Sequence, residues 1–179
     1  MGLNEQAARV RLILFDVDGV LTDGTVVING DGSESKTFGI RDGIAMVWAQ
    51  RVGLKVGFLS ARASATTPPR AAQLGVTLVC QGVASKAAAL ERILADERLA
   101  PDQVAYMGDD IVDLAVIDRV GLSAAPADAV AEVRERAHWT SAHGGGRGAA
   151  RELIEMILKS QGLWDGVVAG YVNEGRDRS

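Results

Sequence analysis

The sequence predicts an α/β fold: a Rossmann-like parallel sheet flanked by helices, with a projecting β-hairpin and no cap domain. Three observations carry this. Short apolar runs alternate with helical patterns along most of the chain, one turn-rich segment interrupts the rhythm, and no gap between elements is long enough for a second folding unit. The 179 residues fit one compact domain, so residues 1–179 are read as one unit.

The strands come first. Leu12–Phe15, 56–59, 76–80 and Val104–Met107 are continuous apolar runs, the pattern of parallel strands covered on both faces. The shorter pieces 122–124 and Trp139–Thr140 extend the sheet. Helices fit the gaps. Ile44, Val47, Trp48 and Arg51 keep helical spacing, and Gly53 can cap the end. Ser85 is read as the N-cap of a helix through Leu94, and Asp128 as the start of one through Arg136. A longer helix spans 148–159, with Leu153, Ile154, Ile157 and Leu158 as its apolar stripe. Residues 25–38, TVVINGDGSESKTF, place Asn29-Gly30 and Asp31-Gly32 between extended pieces and read as a hairpin. Residues 173–179, NEGRDRS, read as a frayed tail.

Composition removes several classes of function. Acidic residues outnumber basic ones 23 to 19, for a net charge of −4, which argues against a nucleic-acid partner. The single cysteine, Cys80, rules out an intrachain disulfide and is read as a buried strand residue. The opening MGLNEQAARVR has no apolar signal core, and no apolar run reaches the length of a membrane span. A cytoplasmic protein without membrane contact is the expectation.

The chemistry concentrates in LILFDVDGVLTDG. A buried strand ends in Asp16-Val17-Asp18-Gly19, and residues i and i+2 of extended chain point to one side. Two carboxylates thus arrive together at the carboxyl edge of the sheet, where ligands of open α/β sheets gather. Alone, Asp18-Gly19 would be an ordinary turn. A second acidic cluster, Asp109, Asp110 and Asp113 in GDDIVD, follows another apolar strand. Two unit charges about 4 Å apart repel by roughly 4 kcal/mol at an effective dielectric near 20, so several carboxylates on one edge call for a cation. Hard oxygen ligands beside phosphate suit Mg²⁺. Ser60 ends the strand 56–59 and can hold phosphate oxygens through its hydroxyl and the N–H of Ala61. Lys86 can neutralise phosphate charge and order the carboxylates. In isolation Ser60 is equally an ordinary cap serine, and Lys86 reads first as a solvated helix lysine.

The order DVDGVLTDG, then SAR, then Lys86, then GDDIVD resembles the four motifs of haloacid dehalogenase-type phosphatases. The LTDG extension, FGIRDG at 38–43, LVCQGVASK at 78–86 and GGRGAARE at 145–152 are similar to the 3-deoxy-D-manno-octulosonate 8-phosphate phosphatase subfamily. The second motif departs from it: Ala61 stands where glycine is usual, and its Cβ narrows the backbone choices.

The resemblance implies a Mg²⁺-dependent phosphatase serving lipopolysaccharide biosynthesis. Asp16 would be the nucleophile, forming an aspartyl-phosphate. Asp18 would be the general acid and base. Asp16, the Asp18 carbonyl and Asp109 would bind the metal, with Asp110 and Asp113 behind them, acting through metal waters or by orienting Lys86. Ser60 and Lys86 would stabilise the transferring group. Arg62 and Arg147, and less so Arg41, are candidates for the carboxylate of a phosphorylated sugar acid, since guanidinium binds carboxylates bidentately. With no cap domain, a homotetramer in which hairpins meet and neighbours cover each site is expected. His138 and His143 are expected to be non-catalytic, and Trp48 and Trp164 to be core or interface residues. Three other readings stay open. A receiver domain forms an aspartyl-phosphate too, although there the phosphorylated aspartate lies on a later strand. A nonulosonate 9-phosphate could replace the octulosonate. A silent phosphosugar-binding module is the third; loss of Asp16 or Asp18 would favour it, and both are present.

Overall fold

The computed structural model describes residues 1–174. Its strands are β1 (Leu12–Phe15), β2 (Val27–Ile28), β3 (Glu34–Ser35), β4 (Lys55–Ser60), β5 (Leu78–Gln81), β6 (Val104–Met107), β7 (Leu122–Ala125) and β8 (Trp139–Thr140). Six of them form one parallel sheet in the order β5-β4-β1-β6-β7-β8. β2 and β3 pair antiparallel as a separate hairpin. The helices are α1 (Leu3–Arg9), α2 (Ile40–Arg51), α3 (Thr67–Gln73), α4 (Lys86–Glu97), α5 (Leu114–Ile117), α6 (Ala131–Arg136), α7 (Ala149–Ser160) and α8 (Trp164–Glu174).

The pleat of β1 explains the three layers. Ile13 and Phe15 face a core shared with α1, α2 and α7, whereas Leu12 and Leu14 face a second core under α4, α5 and α6. All four β1 side chains are buried, each contributing roughly 1.5–3 kcal/mol. The stripe Leu153, Ile154, Ile157 and Leu158 lies wholly inside the first core, as its spacing predicts. Ser85 caps α4 by accepting the Ala88 N–H at 3.2 Å, and Gly53 ends α2 with φ +93°.

One cap was not legible. Asp42 of α2 is buried and accepts the N–H groups of Gly148 (3.1 Å) and Arg151 (2.9 Å) at the start of α7. The FGIRDG and GGRGAARE segments are therefore joined through one carboxylate. Burial pushes the Asp42 carboxyl up, and these two backbone donors partly counter it.

Some expectations need correction. β5 begins at Leu78, because Val76 still belongs to the turn leaving α3. Asp128 does not open α6, which starts at Ala131; its carboxylate instead accepts the Gly145 N–H at 2.9 Å. Cys80 lies in β5 but is half-buried, since β5 is an edge strand. Helices α1, α3, α5 and α8 were not anticipated. Of the expected tail, residues 173–174 complete α8, and 175–179 lie outside the described residues.

Candidate active site

The chain leaves β1 toward β4 and β5, then crosses back to β6 on the other side of β1. The crevice at the carboxyl ends of β1 and β6 is thus the switch point where such sheets bind ligands. Asp16 follows β1 directly, Ser60 ends β4, Lys86 opens α4 after β5, and Asp109 lies two residues beyond β6. Sheet topology alone brings these four together.

Asp16 is 6% exposed, and its Oδ1 lies 2.9 Å from Lys86 Nζ, outside hydrogen-bonding geometry. Burial pushes its carboxyl up to about 6; the Lys86 ammonium opposes this and Asp113 adds to it. Behind the pair, Asp113 is fully buried and uses both oxygens. Its Oδ1 accepts from Lys86 Nζ and the Tyr106 hydroxyl, and its Oδ2 accepts the N–H groups of Asp109 (2.9 Å) and Asp110 (3.2 Å). Lys86 also donates to the Tyr106 oxygen at 3.1 Å. Asp113 therefore aims Lys86 at Asp16 and shapes the turn carrying Asp109.

Asp109 stands against Gly19. A Cβ built on Gly19 would meet Asp109 Oδ2 at 1.9 Å, and Gly19 holds φ +88°. Both facts require glycine, so the close approach of the two acidic turns is written into Asp18-Gly19. Burial, with Asp16 next, pushes the Asp109 carboxyl up to about 8. The glycine loop presses on the same turn: a Cβ on Gly145 would meet the Gly19 oxygen at 2.0 Å, and the Gly146 N–H donates to the Val20 oxygen at 2.9 Å.

Asp18 faces a different partner. Lys36, just after β3, places Nζ 2.7 Å from Asp18 Oδ1 and 3.0 Å from Oδ2. Glu34 of β3 accepts from the Arg62 guanidinium and from the Ser64 hydroxyl, and Arg62 comes within 4.0 Å of Asp18. Ser60 is buried, with its Oγ accepting the Arg62 N–H at 3.3 Å. Among the described residues Arg98 alone combines a side chain beyond glycine with positive φ, so Ala61 does not occupy backbone that calls for glycine.

The donor set fits a hard cation. Oxygens of Asp16, Asp109 and Asp113 lie within 4.8 Å of one another, and the buried Asp16 Oδ1 has no hydrogen bond. Asp113 is already saturated by its four donors, which leaves Asp16 and Asp109 as the free carboxylates. Two with raised affinity for a proton are two that a divalent ion would neutralise.

Other candidates lie elsewhere. The Asp110 carboxylate is exposed and accepts the Ile111 N–H at 2.7 Å, with no contact to Lys86. The Arg147 side chain is 74% exposed and meets Asp23 at 3.9 Å. Together with Arg41, His143, Arg151 and Lys159 it lines a groove of about 870 Å³ that contains none of the aspartates. His138 is structural: its Nδ1 accepts the Ser123 N–H at 3.0 Å. Trp48 packs edge-on to Trp164 and donates to Tyr171, anchoring α8. Lys36, Glu34 and Tyr106 are the site residues that sequence reasoning missed.

A family model for haloacid dehalogenase-like hydrolases matches residues 70–153. The chain is 39% identical over 160 residues to the 3-deoxy-D-manno-octulosonate 8-phosphate phosphatase of Escherichia coli K12, covering 89% of this chain and 85% of that one. Its fold superposes with TM-score 0.92 on the Moraxella catarrhalis phosphatase of that name solved with magnesium, phosphate and KDO, at 30% identity over 94% of this chain and 97% of that one. The cobalt-bound Haemophilus influenzae phosphatase gives TM-score 0.86 at 34% identity, over 89% and 93%. This chain is a phosphoric monoester hydrolase and belongs to the 3-deoxy-D-manno-octulosonate 8-phosphate phosphatase family of haloacid dehalogenase-like hydrolases.

Proposed function

We propose that this enzyme hydrolyses 3-deoxy-D-manno-octulosonate 8-phosphate through an aspartyl-phosphate on Asp16, with Mg²⁺ as its metal. The observation that carries the reading is the buried Asp16 carboxylate at the switch point, flanked by Lys86 on one side and by Asp109 on the other. Asp16 attacks phosphorus as the bond to the sugar oxygen breaks. Asp18 gives that oxygen a proton. Water then attacks the phosphorus of the acyl phosphate, Asp18 takes its proton, and Asp16 is regenerated with release of phosphate. Ser60, the Ala61 N–H, Arg62 and Lys86 surround the transferring group and balance its charge. Asp16, the Asp18 carbonyl and Asp109 would hold the metal, which when bound neutralises phosphoryl charge and orients the ester.

The chain is one domain in this reading, with the hairpin as its sole projection. Val27 and Ile28 of β2 are exposed, which supports hairpins meeting across subunits in a homotetramer. Arg147 then serves the sugar carboxylate from the edge of a neighbouring site. No helix among the described residues is long and apolar enough to cross a membrane, in keeping with a cytoplasmic enzyme of lipopolysaccharide biosynthesis.

The test is phosphate release from 3-deoxy-D-manno-octulosonate 8-phosphate, a nonulosonate 9-phosphate and a hexose phosphate, each with Mg²⁺ and with chelator. Metal-dependent preference for the octulosonate supports the proposal. Preference for the nonulosonate keeps the mechanism and moves the substrate. No turnover of any ester by folded, metal-loaded protein overturns it in favour of a silent phosphosugar-binding module.

A further inference from the structure

The hairpin returns two charged side chains to the site. Lys36 has a side chain only 1% exposed, and its anionic partner is Asp18, 2.7 Å from Oδ1 and 3.0 Å from Oδ2. Burying an ammonium is costly, and nothing in either apolar core requires it here. Glu34, two residues earlier and on the same side of the strand, ties β3 to Arg62 and Ser64 of the loop after β4. The strand is thus stitched across the mouth of the crevice, with its one buried cation on the carboxylate nearest the departing oxygen in the mechanism above.

We propose that Lys36 is a positioning residue for Asp18: it straddles both carboxylate oxygens, fixes their direction, and makes the hairpin the leaving-group wall of the site. Without the ammonium, Asp18 is free to turn about its own side-chain bonds, toward the Arg62 guanidinium 4.0 Å away. The atoms that react are unchanged, and what Lys36 supplies is one orientation of the group that exchanges the proton. This inference rests on the reading of Asp18 as general acid and base.

The test compares kcat/KM on two esters, because kcat/KM reports steps only through departure of the first product. The sugar-acid phosphate expels an alkoxide that needs a proton, whereas p-nitrophenyl phosphate expels a phenolate that does not. Lys36→Met is expected to lower kcat/KM on the sugar-acid phosphate by about tenfold or more, within the roughly 10²–10⁴-fold range of general acid catalysis. The value on p-nitrophenyl phosphate should stay within about twofold. Lys36→Arg, which keeps a cation, should recover part of the loss, and thermal melting of both variants establishes that they fold. Equal losses on both esters, or no loss on either, overturn the inference. Asp18→Asn separates the two ideas. If it discriminates between the esters and Lys36→Met does not, the positioning role alone fails. If Asp18→Asn does not discriminate, the reading of Asp18 fails and takes this inference with it.

Discussion

Replacing Asp113 with asparagine would test the network behind the nucleophile. The wild-type carboxylate receives four donors: Lys86, Tyr106 and the N–H groups of Asp109 and Asp110. An asparagine of the same shape can keep its oxygen on the two backbone donors. Its amide then faces the Lys86 ammonium and the Tyr106 hydroxyl, donor against donor. Two charge-assisted hydrogen bonds are lost, each of roughly 1.5–3 kcal/mol. The loss falls short of their sum because Asp16 still lies 2.9 Å from Lys86. A destabilisation of about 3 kcal/mol follows, which for a chain of this size lowers Tm by roughly 6–12 °C. Calorimetry in chelator reads the melting point, and kcat should fall with it because Lys86 loses its aim. A variant melting within about 2 °C of wild type, with unchanged kcat, would refute the role assigned to Asp113.

Further outcomes follow from the same geometry. Gly19→Ala sets a Cβ against Asp109 at a φ of +88°; backbone strain of roughly 1–2 kcal/mol and a displaced Asp109 should weaken metal binding, read by calorimetric titration. Asp42→Ala removes the cap of α7 and should cost about 1–2 kcal/mol in urea denaturation. Metal-free protein should lose stability as pH rises from about 4 to about 8. The folded pKa values of Asp16 (about 6) and Asp109 (about 8) lie above the 3.8 of an unperturbed aspartate, so the stability they contribute is complete below that value and disappears as pH passes each folded value. Mg²⁺ should flatten the loss, as melting curves across that range with and without chelator would show. Val27→Asp with Ile28→Asp should lower the mass measured by light scattering if exposed hairpins hold the tetramer together.

The sheet was legible because its strands are continuous apolar runs, and Asp16, Ser60 and Asp109 because each closely follows such a run; Lys86, five residues beyond β5 after a loop, stood out only through the order of the motifs. What escaped had physical reasons. The paired prolines before Arg70 mask α3, because they are unfavourable inside a helix and are tolerated only in its first turn, where they lie. Gly166 and Gly170 weaken the helical signal of α8, and its stability comes from Trp164 and Tyr171 docking on Trp48. Lys36 and Glu34 sit in a polar hairpin of two-residue strands, where a charge looks like solvated surface. Only the fold of the hairpin back toward Asp18 and Arg62 gives them meaning. Tyr106 was hidden inside an apolar run, although a buried tyrosine hydroxyl usually demands a partner, a signal that could have been used.

The central claim is that Asp16 carries the phosphoryl group, and trapping that intermediate tests it most directly. Enzyme would be mixed with substrate and Mg²⁺, quenched in acid within the first turnovers, and reduced with borohydride, which converts an acyl phosphate to an alcohol. Peptide mass spectrometry should then find homoserine at position 16 in the wild type and none in enzyme quenched without substrate. Homoserine at another aspartate, or full turnover with position 16 unmodified at every quench time, would contradict the account.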